Sequence, residues 1–73
     1  MKRYESMRLH LFKIKMTQRK LGELSGVHYA RINNYLCGRV VISEEQEEIL
    51  CKALDLDFRS YMRGKIVSKE KKK

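Results

Sequence analysis

Between Thr17 and Arg39 the chain carries two short amphipathic segments, parted by Gly26 and closed by Gly38. Neither reaches the roughly 12 to 15 residues at which an isolated helix becomes even marginally stable in water. If both are helical, other elements must cover them, so this stretch demands a packed, many-helix domain. The chain is 73 residues long, one domain near the size where a single core supplies only roughly 3 to 5 kcal/mol. A deep catalytic cleft is not expected at that size.

The covering helices are legible in the spacing of apolar residues. Tyr4, Met7, Leu11 and Ile14 recur at intervals of three and four, predicting a first helix over about 3–14 with these residues buried. Leu9 and Phe12 lie off that stripe, so they either widen the core face or meet a partner. Thr17 caps a second helix running to about Ser25, with Leu21 and Leu24 inward. Gly22 is costly inside an isolated helix and predicts a close crossing. Gly26 suits a left-handed turn, Val27 packs ahead of a third helix over about 28–37, and Gly38 stops it.

Ser43-Glu44-Glu45-Gln46 fits a capping box and starts a fourth helix with Ile49, Leu50, Ala53 and Leu54 inward. Glu44, Glu45, Glu47 and Glu48 then fall in its first turns, where the helix dipole gives acids a structural role. Asp57 caps a short fifth helix through Phe58, Tyr61 and Met62. After Gly64 the β-favourable pair Ile66-Val67 precedes a lysine run. The expected organisation is a domain over 1–63 and a basic tail over 64–73, either disordered or a dimerisation strand.

Composition narrows the function classes. The net charge of +8 is unevenly placed: residues 1–42 hold nine Lys/Arg against two acids, 43–58 one against six, and 59–73 seven against one. Basic ends around an acidic block suit a polyanion on one face, since clustered Lys/Arg favour phosphate through counterion release. No apolar run approaches the ~20 residues of a membrane span, and the N-terminus does not read as a signal peptide. Cys37 and Cys51 form no Cys-x-x-Cys pair, and His10 and His28 lack metal-ligating companions, so neither metal nor cofactor is expected. Cys51 reads as a small core residue and Cys37 as more exposed. With no Gly-rich phosphate loop and no Ser/His/Asp grouping, an enzyme is not expected, and a cytoplasmic location is the simplest expectation.

The third helix has two chemically distinct sides. Projected at about 100° per residue, His28, Ile32, Tyr35 and Leu36 fall together, and Ala30, Asn33, Asn34 and Cys37 fall opposite, with Tyr29 and Arg31 at the edges. Amides, a small residue, an aromatic and an arginine are useful for base reading. Asn bonds adenine bidentately, Arg grips guanine or phosphate, and Ala meets the thymine methyl.

The stretch T-Q-R-K-L-G-E-L-S-G-V-H-Y-A-R-I-N-N-Y-L-C-G-R resembles the helix-turn-helix of the phage repressor and Cro, or XRE, family. The similarity lies in Thr17-Gln18, Leu21-Gly22, Gly26-Val27, Ile32, Tyr35 and Gly38-Arg39, and continues to K-A-L-D-L-D-F, covering about residues 4–62. It implies an all-α, compact five-helix, lambda-repressor-like DNA-binding domain with the helix-turn-helix at about 17–37. It further implies that Tyr29, Ala30 and Asn34 face bases, with His28, Arg31 and Asn33 beside them. Gln18 and Arg39 would hold phosphates, and Thr17, Arg19 and Lys20 are further phosphate candidates. The chain departs from the family pattern at His28, where a small hydroxyl is usual, at Asn34, and at the apolar pair Leu36-Cys37.

The expected function is therefore a sequence-specific double-stranded DNA-binding regulator, a phage or prophage type of repressor that occludes a promoter as a homodimer on a palindromic operator. Leu9, Phe12, Phe58, Tyr61, Met62 and the Ile66-Val67 segment are the candidates for the dimer contact. Two alternatives use the same fold: a protein-interaction module such as an antirepressor or antitoxin with a protein partner, and an excisionase-like recombination factor.

Overall fold

In the computed structural model, which describes residues 2–69, five helices follow in order: α1 (Arg3–Lys13), α2 (Gln18–Ser25), α3 (Tyr29–Leu36), α4 (Glu44–Ala53) and α5 (Phe58–Met62). No strand forms among the described residues. α2 packs against α3 and α4, α1 against α3, and α4 against α5. The Cα radius of gyration is 11.2 Å, matching the roughly 11 Å that size scaling gives for a compact domain of this length.

Every helix contributes to one core. Met7 and Leu11 come from α1, Leu21 from α2, Ile32, Tyr35 and Leu36 from α3, Leu50 and Cys51 from α4, and Tyr61 from α5, with Ile42, Leu54 and Leu56 from the connections. Burial of each large aliphatic side chain stabilises by about 1.5–3 kcal/mol, and the short helices persist only through this shared burial.

The expected inward stripes are corrected in three places. α1 stops at Lys13, so Ile14 becomes its C-cap and is 44% exposed. Leu24 is 50% exposed because α2 faces the core through Leu21 alone. On α4 the buried stripe is Glu47, Leu50 and Cys51, continued by Leu54 at the C-cap, which rotates Ile49 outward to 42% exposure. α3 is one residue shorter at each end than expected, with His28 and Cys37 as its caps.

The tail also differs from expectation. Asp57 N–H donates to the Val67 carbonyl at 2.8 Å and Lys69 N–H to the Asp55 carbonyl at 2.8 Å, closing an antiparallel bridge between Leu56 and Ser68. Ile66 packs against the core. The segment up to Lys69 therefore belongs to the folded unit. The last four residues, including most of the expected lysine run, lie outside the described residues.

Helix ends are defined by backbone geometry. Thr17, Ser43 and Asp57 accept from the N–H three residues on, at 3.0, 3.2 and 3.0 Å. At the C-termini of α1, α3, α4 and α5 the same paired bonds recur, for example Arg39 N–H to Asn34 O at 2.8 Å and Gly38 N–H to Tyr35 O at 3.0 Å. This Schellman arrangement needs one residue in the left-handed region. Glycine fills it at Gly38 and Gly64, but Lys15 (φ 57°) and Asp55 (φ 61°) fill it after α1 and α4.

One polar network crosses the core. Glu47, 3% exposed, accepts from Arg3 at 3.1 Å and from the Tyr35 hydroxyl at 2.6 Å. Tyr35 and Tyr61 also share a hydrogen bond between their hydroxyls. Burial foremost, then the hydrogen bonds to Glu47 and Tyr61, raises the Tyr35 pKa far above its ordinary value. The hydrogen bond to Glu47 raises that of Arg3. Sequence patterning assigns Glu47 to the helix dipole, and its actual role is to bind α1 through Arg3 and α3 through Tyr35, with α5 joined through Tyr35.

Two outcomes follow from the caps and the network. Lys15→Gly relieves a left-handed penalty of roughly 1 kcal/mol and should raise the melting temperature, whereas Gly38→Ala should lower it by the equivalent of about 2 kcal/mol or more. The Gly38 loss is the larger because the added Cβ would sit 2.5 Å from the Tyr4 hydroxyl. Thermal unfolding by circular dichroism checks both signs. Tyr35→Phe should cost about 1–3 kcal/mol in the same assay, with Tyr29→Phe, an exposed control, near zero.

Candidate functional site

The connection from α2 to α3 is rigid for identifiable reasons. Gly22 lies so close to it that a Cβ there would come within 2.8 Å of the Val27 carbonyl oxygen and 3.4 Å of Tyr29 N. Gly26 ends α2 at φ 80°, which costs glycine nothing. Val27 N–H then donates to Ser25 Oγ at 3.2 Å, and the Val27 side chain packs on the core. His28 caps α3, its Nδ1 accepting from Ala30 N–H at 3.1 Å. Because Ile32, Tyr35 and Leu36 are buried, the opposite side of α3 is turned outward.

The site residues expected from the sequence separate into groups. His28, Tyr29, Ala30 and Arg31 are exposed, and Asn33 and Asn34 are half-buried. Tyr29 and His28 stack, with ring centroids 4.8 Å apart and planes at 22°. The Arg19 guanidinium lies over the Tyr29 ring, 4.6 Å from its centroid. Arg19 thus stands with the α3 group. Arg31 goes the other way, its Nε donating to Gln46 Oε1 on α4 at 3.4 Å. Asn33 Oδ1 accepts a weak bond from Cys37 Sγ at 3.7 Å. Among the described residues no side-chain hydrogen bond engages the amide of Asn34 or of Gln18.

Thr17 is occupied as the α2 cap, and Lys20 makes an exposed pair with Glu23 at 3.9 Å, worth little. Arg39 is exposed, and its backbone is held by the α3 C-terminal bond to Asn34. The Leu36 carbonyl at that end also accepts from Arg8 at 3.3 Å.

Two concave regions flank α3. A shallow one of about 410 Å³ is lined by Arg19, Gly22, Glu23, Gly26, Val27, His28 and Tyr29. A larger groove of about 550 Å³ lies at the other end, lined by Lys2, Arg3, Tyr4, Tyr35, Gly38, Val40, Val41, Glu47, Met62, Arg63 and Gly64. Among the described residues no cluster of His, Cys, Asp and Glu could hold a metal ion, and no helix is long and apolar enough to cross a membrane.

The Arg19–Tyr29–His28 stack and the Arg31–Gln46 bond carry no signal in local sequence, because ten and fifteen residues separate their partners across turns. Glu47 did carry one: it falls three, four and seven positions before Leu50, Cys51 and Leu54, the spacing of one helix face. Comparisons with protein-family models, curated proteins and solved structures found no match to the chain.

The two thiols should be chemically distinct. Burial, followed by the charges of Glu47, Glu48 and Asp57, pushes the Cys51 thiol up to about 12, and the reactive species is the thiolate. Cys37 is exposed. A thiol reagent at pH 8 should label Cys37 quickly and Cys51 only after denaturant is added, giving one equivalent and then two. Rapid native labelling of both would contradict the buried position of Cys51.

Proposed function

We propose that this protein is a sequence-specific double-stranded DNA-binding regulator in which α2, the Gly26 turn and α3 act as a helix-turn-helix of the phage repressor and Cro type. α3 enters the major groove and α2 crosses the backbone. The observation that carries this is the division of α3. Its inner side is anchored in the core, and its outer side offers an Asn34 amide that no hydrogen bond engages among the described residues, next to exposed Tyr29 and Ala30. Base readers must be free in just this way, since a donor or acceptor spent inside the protein cannot discriminate among base edges.

Arg39 supplies a cation at the α3 C-terminus, Lys20 another near the start of α2, and Gln18 an amide there. These are suited to phosphates, which set register without reading sequence. A helix of eight residues reads few base pairs, so the protein acts as a homodimer on a palindrome with half-sites about 34–36 Å apart. It represses by covering promoter DNA, as in a phage or prophage regulator. For the dimer contact, Phe12 (82% exposed) and Leu9 (49% exposed) are favoured over Tyr61, which is fully buried.

A second use of the fold, docking on another protein, is favoured by the larger groove. Its exposed Lys2 and Arg63 and its apolar Val40 and Val41, the latter 93% exposed, suit an acidic peptide better than a phosphate backbone.

Selection from a random duplex library at near-physiological salt tests the choice, and a palindromic motif is the expected result. On the selected site, Asn34→Ala should relax one base position by about 1–3 kcal/mol, whereas Arg39→Ala should weaken all sequences alike and reduce the salt slope by about one. Absence of any enriched motif, together with capture of an acidic peptide, would favour the docking function.

A further inference from the structure

The start of α3 holds more chemistry than a generic outward face. His28 accepts from Ala30 N–H through Nδ1, which requires a lone pair on that nitrogen. The neutral ring must then carry its proton on Nε2, because the bond made by one ring nitrogen decides the state of the other. The cap leaves Nε2 uncommitted on an exposed residue, so it offers an N–H donor. Tyr29, stacked on His28 at 4.8 Å, adds a hydroxyl. Arg19, 4.6 Å from the Tyr29 centroid, is attracted by the ring's negative face.

We propose that Arg19, Tyr29 and His28 form one pre-arranged reading unit that selects guanine at the base facing the N-terminus of α3, with Arg19 positioning the Tyr29 ring instead of gripping a phosphate. This rests on the DNA-binding function proposed above. The chemistry of the selection is a match of donors to acceptors. In the major groove guanine alone shows two adjacent acceptors, N7 and O6, and no donor; adenine pairs an acceptor with a donor, cytosine shows a donor, and thymine one acceptor and a methyl group. An imidazole N–H and a phenol O–H can together donate to both guanine acceptors. The phenol can donate or accept and so tolerates either purine, and the imidazole, which can only donate, decides: placed at the six-position it bonds guanine O6, whereas on adenine it would meet the N6 amino group, a second donor, which a desolvated interface penalises.

Rigidity is part of the device. The cap fixes the His28 ring, the stack fixes Tyr29 against it, and the approach of Gly22 to Val27 and Tyr29 leaves the backbone beneath little freedom. Little side-chain entropy then remains to be lost on binding. Arg19 contributes through the ring, so its removal should change which base is chosen more than how tightly DNA of any sequence is held.

Three variants separate the roles while sparing the fold. His28→Asn keeps a strong N-cap but removes the outward imidazole donor. Tyr29→Phe keeps the stack and removes the hydroxyl. Arg19→Ala removes the cation over the ring. Each would be checked for an unchanged circular dichroism melt, then compared with the original chain by library selection and by the salt dependence of binding to the selected site.

The expected result is an invariant guanine in each half-site for the original chain. In all three variants the preference there should fall by about five- to 150-fold, the fold-change equivalent to 1–3 kcal/mol, with the salt slope unchanged. A motif without guanine at that position, or one whose guanine survives His28→Asn and Tyr29→Phe, overturns the proposal and leaves the DNA-binding function intact. A slope reduced by about one in Arg19→Ala with the base preference preserved makes Arg19 a phosphate contact and overturns its positioning role. Failure to select any motif is a failure of the underlying DNA-binding function, and the proposal falls with it.

Discussion

A single buried carboxylate organises this protein. Glu47 of α4 is held by Arg3 of α1 and Tyr35 of α3, and Tyr35 in turn meets Tyr61 of α5. Four helices that share little sequence proximity are thereby given one relative arrangement. A buried charge is tolerated only when its partners are in place, so the network penalises every packing in which one of these helices is shifted. An all-apolar core of the same size would be less selective, because apolar contacts are non-directional. Among the described residues no buried side-chain nitrogen or oxygen lacks a partner, so the network carries no unmet hydrogen bond.

The consequences reach the outward side of α3. Tyr35 is on α3, so the bond that satisfies Glu47 also fixes the rotation of that helix about its axis. With Ile32, Tyr35 and Leu36 inward, Ala30 and Asn34 are turned out. The remaining helix, α2, is tied to α3 through the tight Gly22 and Gly26 geometry and not through the network. The unit thus couples one rigidly oriented helix to a second by a short turn whose left-handed position is filled by Gly26.

Several features were legible in the sequence because they depend on neighbours within a turn or two. The five helices, the caps at Thr17, Ser43 and Asp57, and the stop at Gly38 are local devices, each made by a residue bonding backbone three to five positions away. The inward side of α3 was legible for the same reason, from the spacing of Ile32, Tyr35 and Leu36. Periodicity misjudged the other helices at their margins. Ile14 and Leu24 are apolar and correctly spaced, yet α1 stops early and α2 is covered on one side only, and hydrophobicity alone does not say how much of a helix its neighbours will cover. Glu47 reads in the sequence as one of four acids placed for the helix dipole, and nothing local identifies the partners it meets on other helices. Of the residues on the outward face, the sequence supplied identities but not alliances: Arg19 pairs with Tyr29 and Arg31 with Gln46, both across turns.

The amino-acid sequence by itself therefore determined the helices, their ends and the polarity of α3, since those follow from steric preference, capping and a periodicity of 3.6 residues. Tertiary structure alone decided which acid is buried, which apolar residues stay in solvent, and that Arg19, Tyr29 and His28 form a stack. Those outcomes depend on distances between residues far apart in the chain, and such distances exist only after the helices have packed.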